Sequence, residues 1–160
     1  RRVADGFVLR SWLPGDGAAL TDATESSYAH LSPWLAWAQE RQPVDVSESL
    51  VRKMRGRWLQ EIDFVVAIWD PTETRALGGT GFHLRGKPLS DQMAEIGMWI
   101  RASEAGTGLG TRVLSEMLDW GFHEWGWRRL YWKCDTRNEA SRRVAEKAGM
   151  TQEMTLREAQ

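Results

Sequence analysis

Three glycines at alternate positions, Gly106, Gly108 and Gly110, separate an apolar run at residues 94–100 from a helical pattern that follows them. A strand, a glycine-rich turn and a helix N-terminus in that order make an anion site. Unpaired backbone N–H groups project from the start of the helix, and its dipole adds a partial positive charge. Glycine lets the backbone approach a phosphate closely and adopt positive φ. Two common phosphate loops do not fit. A P-loop needs a lysine ahead of Ser or Thr, whereas Gly110 is followed directly by Thr111. A dinucleotide fingerprint needs a third glycine where Thr111 stands and opens a βαβ unit. A tight turn that binds nothing is the plain alternative.

Other reactive side chains are sparse. Cys134 is the only cysteine, which excludes an internal disulfide and a cysteine-built zinc site. It ends the alternation Leu130, Trp132, Cys134 as a buried strand thiol would, with no flanking histidine to activate it, so an acyl-cysteine intermediate is not expected. His30, His83 and His123 are far apart and lack metal-ligand spacing, so no metal is expected. His83 falls on a strand and reads as a site residue or as a satisfied structural histidine.

The elements that must hold these groups can be traced along the chain. Residues 6–12 read as a strand ending at "PGDG". Residues 18–39 are irregularly helical, with a break at Pro33. Residues 47–62 keep helical spacing through Leu50, Val51, Met54, Trp58 and Ile62, with Asp45 or Ser47 as N-cap. Three strands follow at residues 64–69, 76–84 and 94–100. Their short connections, rich in turn-forming residues, predict an antiparallel meander. Beyond the glycines, Leu114, Met117, Leu118, Gly121, Phe122 and Trp125 mark one helical face. Residues 129–134 read as a strand, and Asn138 caps a helix that stops at Gly149. The tail from Thr151 predicts the start of one more strand. The order is β–α–α–β–β–β–α–β–α–β, an α/β (α+β) protein whose mixed central sheet begins as an antiparallel meander and ends in a parallel β-α-β unit.

With 160 residues, 42% apolar and 27% charged, the chain is sized for one domain over residues 1–160. A net charge of −1 lacks the basic excess of a nucleic-acid binder. No apolar run approaches the ~20 residues of a membrane span. A lone cysteine and no signal pattern suit a cytoplasmic protein, and the lack of an initiator Met suggests trimmed ends. Of the ten tryptophans, Trp69, Trp99, Trp120, Trp125 and Trp132 fall at core positions. "RKMRGR" at residues 52–57 reads as a solvated helix face or as a lure for an acidic acceptor.

The pattern strand–x–x–G-x-G–helix–strand–N-x-x-S–helix resembles the GNAT family of acetyl-CoA-dependent N-acetyltransferases. The family's R/Q-x-x-G-x-G/A stretch maps onto Ala105, Gly106, Thr107, Gly108, Leu109 and Gly110, with Ala105 in place of Arg or Gln. "CDTRNEASRRVAEKAGM" resembles the N-x-x-S-x-x-x-x-x-K-x-G-F segment of the ribosomal-protein N-terminal acetyltransferase branch, Met150 replacing Phe. "HLSPWLAWA" is similar to that branch's Leu-x-x-Trp-Leu-x-Trp segment.

The resemblance implies a coenzyme A pyrophosphate held by residues 105–111, including Thr111, with Asn138 nearby. The pantetheine arm would lie between two parallel, splaying strands and pair with the backbone of Met98, Trp99 and Ile100. Glu95 is implied as the carboxylate that takes the acceptor's proton, directly or through water; an ordinary strand-end ion pair is its alternative. Ser141 is implied as a donor to the departing sulfur, although a small polar residue three places after an Asn cap is also a common structural feature. Trp34 and Trp37 are implied in the acceptor slot.

Such a site needs a neutral amine. An α-amino group titrates near ~7.7–8.0 and a lysine near ~10.4, so lysine asks about 3.4 kcal/mol more of the base. An α-amino group of a protein or peptide is the easier acceptor. A small-molecule or antibiotic amine, or a module that binds coenzyme without turnover, are the alternatives. The family also implies a closing C-terminal hairpin. Its last strand is absent from this sequence, so either missing residues or a second copy of the chain, in a homodimer, would cover the edge.

Overall fold

A computed structural model describes residues 1–39 and 41–157. Its elements are β1 (Arg2–Ala4), β2 (Phe7–Ser11), α1 (Gly17–Glu25), α2 (Tyr28–Leu31), α3 (Val44–Leu59), β3 (Phe64–Trp69), β4 (Ala76–His83), β5 (Met93–Ile100), α4 (Leu109–Trp120), β6 (Arg129–Tyr131) and α5 (Glu139–Lys147). The six strands form one sheet in sequence order. Every junction is antiparallel except β5 with β6, which is parallel. This is the mixed sheet that the sequence predicts, with its antiparallel meander and its β-α-β unit.

Side-chain alternation along the strands builds two cores. Phe64, Val66 and Ile68 of β3, Phe82 of β4, and Ala94 and Ile96 of β5 pack under α4, through Leu109, Val113, Leu114, Met117 and Trp120. The opposite face sets Val8, Ala67 and Trp69 against Leu20 and Ala23 of α1 and Val51 of α3. Leu114 and Met117 are fully enclosed, so truncating either to Ala should cost about 2–5 kcal/mol. These packed faces fix β5 between β4 and α4, and β5 carries the site.

Several local expectations need correction. β1 adds a short edge strand that three residues gave no pattern for. α3 runs over Val44–Leu59, not 47–62. Pro43 takes the N-cap place with φ −68°, Asp45 falls in the first turn, and buried Ser47 accepts a hydrogen bond from the Thr21 hydroxyl at 2.7 Å. Glu61, at φ 57°, ends the helix in the left-handed region without the glycine that usually marks such a stop.

β6 stops at Tyr131 instead of Cys134. The chain leaves the sheet there through a turn in which Asp135 Oδ1 accepts from the Arg137 N–H at 2.9 Å. Cys134 is therefore exposed, not buried as the alternation predicted. The tail forms no strand over residues 151–157, all of them exposed; residues 158–160 lie outside the described residues. Of the predicted core tryptophans, Trp69 and Trp120 are buried, while Trp99, Trp125 and Trp132 are half-buried beside the cores.

Candidate functional site

β5 and β6 are paired over only three positions, Met93–Arg129, Ala94–Leu130 and Glu95–Tyr131. β5 continues to Ile100, still paired on its other side with β4 as far as Gly78–Ile100. Past Glu95, therefore, the β6-facing edge of β5 has no strand partner among the described residues. Met98, Trp99 and Ile100 lie along that freed edge.

The glycine loop closes one end of the gap. Gly106 (φ +73°) and Gly108 (φ +82°) are left-handed, a conformation side chains rarely adopt, and an added Cβ at either would meet nothing within 4 Å. Gly108 is the N-cap of α4. The first intrahelical bond, Arg112 N–H to the Gly108 carbonyl, is 3.1 Å. The N–H groups of Leu109, Gly110 and Thr111 precede it and face outward with the positive end of a twelve-residue helix. A Cβ on Gly110 would stand 3.5 Å from Val144, 3.8 Å from Ile100 and 3.9 Å from Met98. The floor of the cradle is thus apolar and its rim is amide. A diphosphate joined to a long, mostly apolar arm fits such a surface.

Contacts made chiefly by two buried residues, Arg101 and Ser27, hold this loop from behind. The Arg101 guanidinium pairs with Asp22 at 2.7 Å and donates to the Ala76 carbonyl at 3.2 Å. The Ala102 N–H donates to buried Ser27 Oγ at 2.9 Å. Thr107 donates its hydroxyl to the Glu104 carbonyl at 2.6 Å. Ala105 extends no polar group into the cradle.

On the α1/α3 face, Glu95, Gly97 and Trp99 alternate along β5, opposite His83, Gly81 and Gly79 of β4. The Trp99 indole lies over Gly79 and meets Trp37 edge-on, with ring centroids 5.7 Å apart. Trp37 and Trp34 are both about half exposed, at 48% and 46%. Glu95 is buried at 8% exposure. Its Oε1 accepts from Arg85 Nη2 at 2.7 Å, and Lys133 Nζ stands 3.6 Å from Oε2. Arg85 reaches it from a left-handed backbone, φ 53°. The hydrogen bond to Glu95 holds the Arg85 guanidinium above its ordinary range, against a smaller opposing effect of burial.

Across the gap, Ser141 has its Oγ 3.0 Å from Trp132 Nε1, which donates to it, and its own N–H donates to Asn138 Oδ1 at 3.1 Å. With an indole on the oxygen's lone pair, the hydroxyl proton is left to point elsewhere. Asn138 is occupied as the helix cap of α5.

A family model described as "Acetyltransferase (GNAT) domain" matches residues 7–151. The chain belongs to the GNAT acetyltransferase family. No curated protein sequence matches it, but solved structures share its fold. RimL, a ribosomal L7/L12 α-N-protein acetyltransferase solved with coenzyme A, superposes with a TM-score of 0.82 at 21% identity, over 92% of this chain and 81% of that one. MccE, a microcin C7 self-immunity acetyltransferase solved with acetyl-CoA and AMP, gives 0.80 at 20% identity, over 91% and 79%. A spermidine N-acetyltransferase SpeG chimera from Vibrio cholerae and hSSAT gives 0.71 at 17% identity, over 93% and 82%.

Within this GNAT enzyme, the fold brings the residues expected for the coenzyme, 98–100 and 105–111, to one end of the β5/β6 gap. Glu95 sits at the other end of that gap. Arg101, Ser27, Arg85 and Asp63 carried no sequence signal, since each acts through a partner distant in the chain.

Proposed function

We propose that the protein moves the acetyl group of acetyl-CoA onto a primary amine, the α-amino group of a protein or peptide, by direct attack of the amine on the thioester. One observation carries this: β5 and β6 part at Glu95, between an amide-lined cradle and a tryptophan-walled face. Donor and acceptor can therefore approach the same point from opposite sides of the sheet.

Residues 106–111 would hold the pyrophosphate through their amides, with Ala105 giving no side-chain contact, and the freed edge at Met98, Trp99 and Ile100 would pair with the pantetheine. Asn138 stiffens the start of α5 beside it. The Lys133–Glu95 contact is long and its lysine exposed, so it contributes little. An incoming ammonium can displace it, and Glu95 then holds the acceptor's charge. Ser141, its oxygen already accepting from Trp132, would donate to the departing sulfur. Trp34 and Trp37 would flank the residues next to the amine. We place the reaction in the cytoplasm, with no metal, nucleic-acid or membrane partner assigned; among the described residues no helix is long and apolar enough to cross a membrane. A homodimer is the assembly to look for by light scattering.

Thiol release measured over a panel tests this reading. It should contain peptides with free α-amines, the same peptides N-blocked with a free lysine, polyamines and aminoglycosides. The highest kcat/KM should fall on free α-amines. A polyamine or aminoglycoside at the top would move the protein to the small-amine group, a reading the shared fold of the spermidine enzyme keeps in view. Coenzyme binding without turnover would make it a binding module, and no coenzyme binding by calorimetry would sink the proposal.

A further inference from the structure

The groups assigned so far hold the ammonium but leave no unoccupied base to take its proton. Glu95 has Arg85 on one oxygen, and the acceptor's ammonium, displacing Lys133, takes the other. On the same face, directly across the ladder from Glu95, stands His83. Its Nδ1 lies 2.8 Å from Asp63 Oδ1, and Arg57 approaches the second Asp63 oxygen at 3.9 Å. An ionised carboxylate only accepts, so this contact puts the ring proton on Nδ1 and leaves the lone pair on Nε2. That nitrogen points along the sheet toward β5. It lies 3.0 Å from where a Cβ on Gly81 would be and 3.1 Å from where one on Gly97 would be. Any larger residue at either glycine would press on the ring, so the two glycines keep Nε2 uncovered next to the stretch of β5 beyond the parting point. The side chain is 16% exposed, enclosed but reachable.

We propose that His83, oriented by Asp63, is the base that removes the acceptor's proton, while Glu95 beside it holds the ammonium. The inference rests on the acetyl-transfer reading above. Nε2 takes a proton from the ammonium, and the freed lone pair forms the N–C bond at the thioester carbonyl carbon. The carbonyl re-forms as the C–S bond breaks, and the sulfur leaves with its electron pair as thiolate. The second N–H proton of the attacking nitrogen passes to it, and the proton on Nε2 goes to solvent. The products are an N-acetylated amine and the free thiol, with one proton released to solvent from the starting ammonium. His83 is the catalytic residue; Asp63 is a positioning residue that acts by fixing the tautomer.

Two measurements test the assignment, one independent of turnover. In nitrogen-15 NMR of the protein alone, with the His83 signals identified from their loss in His83→Gln, the neutral ring should be the Nδ1–H tautomer and should shift toward Nε2–H in Asp63→Asn. A ring that is Nε2–H in the unaltered protein overturns the proposal.

In kinetics, His83→Gln keeps a donor for Asp63. It should lower kcat about 10²-fold or more, the range of general-base catalysis, with acetyl-CoA affinity by calorimetry unchanged. Free imidazole should restore part of the rate to His83→Gly, and Asp63→Asn should lower kcat more than it raises KM. An active protein whose His83→Gln variant keeps kcat within threefold overturns the base alone, as does a slowed His83→Gly variant that imidazole does not rescue. An unaltered protein that binds coenzyme but acetylates no amine overturns the transfer reaction, and the base with it.

Discussion

The two sides of β5 do their work with different materials. On the proposed coenzyme side, the groups on offer are backbone amides of residues 106–111 and the free strand edge at 98–100, and side chains contribute mainly by being small. On the proposed acceptor side, they are side chains, Glu95, His83, Asp63, Arg85 and Trp37, carried by different elements, with His83 over Gly81 and Gly97 and Trp37 against the Trp99 ring that covers Gly79. A site made of backbone needs the chain in one conformation over a few consecutive residues. A site made of side chains needs a whole face assembled first. The first tolerates substitution of most residue types and fails at its glycines. The second tolerates backbone variation and fails at single functional groups.

The largest effect expected from this contrast is at Gly108. Gly108→Val places a β-branched residue at φ +82°, where such residues are strongly disfavoured, and fills the cradle with its side chain. Coenzyme affinity by calorimetry should fall at least about 10²-fold, close to the loss of one or two charge-assisted amide contacts. Gly108→Asn, better suited to the left-handed region, should fall less. Affinity within threefold for the valine variant would break the comparison, because the cradle would not then be made of backbone.

Next comes Glu95→Gln, on the side-chain side. It should lower kcat/KM by about 10–10²-fold, the loss of one charge-assisted hydrogen bond to the ammonium, while coenzyme affinity stays put. Loss of coenzyme affinity in this variant would show that the two sides are not separate.

Ser141→Ala is expected to cost about tenfold in kcat, one neutral hydrogen bond at the sulfur. It also strands Trp132 Nε1, so thermal unfolding should be followed in parallel. A melting change without a rate change would return Ser141 to its structural role beside the Asn138 cap.

The smallest effect should be a gain. Ala105→Arg restores a cation at the start of the loop, and coenzyme should bind a few-fold tighter, an exposed charge pair being worth about 1 kcal/mol or less. That gain should disappear at high salt. A gain beyond tenfold would mean that side chains carry more of the coenzyme side than its geometry suggests.

The same division explains what the sequence makes legible. The meander, α4 and α5 follow from apolar periodicity and caps, and the glycine cradle lies within six consecutive residues, so both could be read directly. The fold's splayed gap and its contents needed the family resemblance. His83 could be placed on its strand as a site residue or a structural histidine, but its pairing with Asp63 could not be read, because the two stand twenty residues apart across a hairpin. Arg101 carried no sequence signal and is buried where it pairs with Asp22, a tertiary contact that no window of sequence contains. The misread places were likewise set from afar. β6 ends where β5 diverges from it, and Cys134, three residues past Tyr131, is carried into solvent, although its alternation with Leu130 and Trp132 continues a strand pattern.

The three-position junction between β5 and β6 also sets where the molecule opens. β3, β4 and β5 are stitched by neighbouring hairpins over many paired positions, while β6 reaches β5 only after the crossover of residues 101–128 and closes with three. Contacts that span long separations form late, and short ladders release early. The amide hydrogens of β6 and the start of α5 should therefore exchange with solvent faster than those of β3 and β4, as one small cooperative unit. A ligand bridging the glycine loop and the free edge of β5 would tie down this late-forming part of the sheet, so its saturation should slow exchange there and leave the hairpins nearly unchanged.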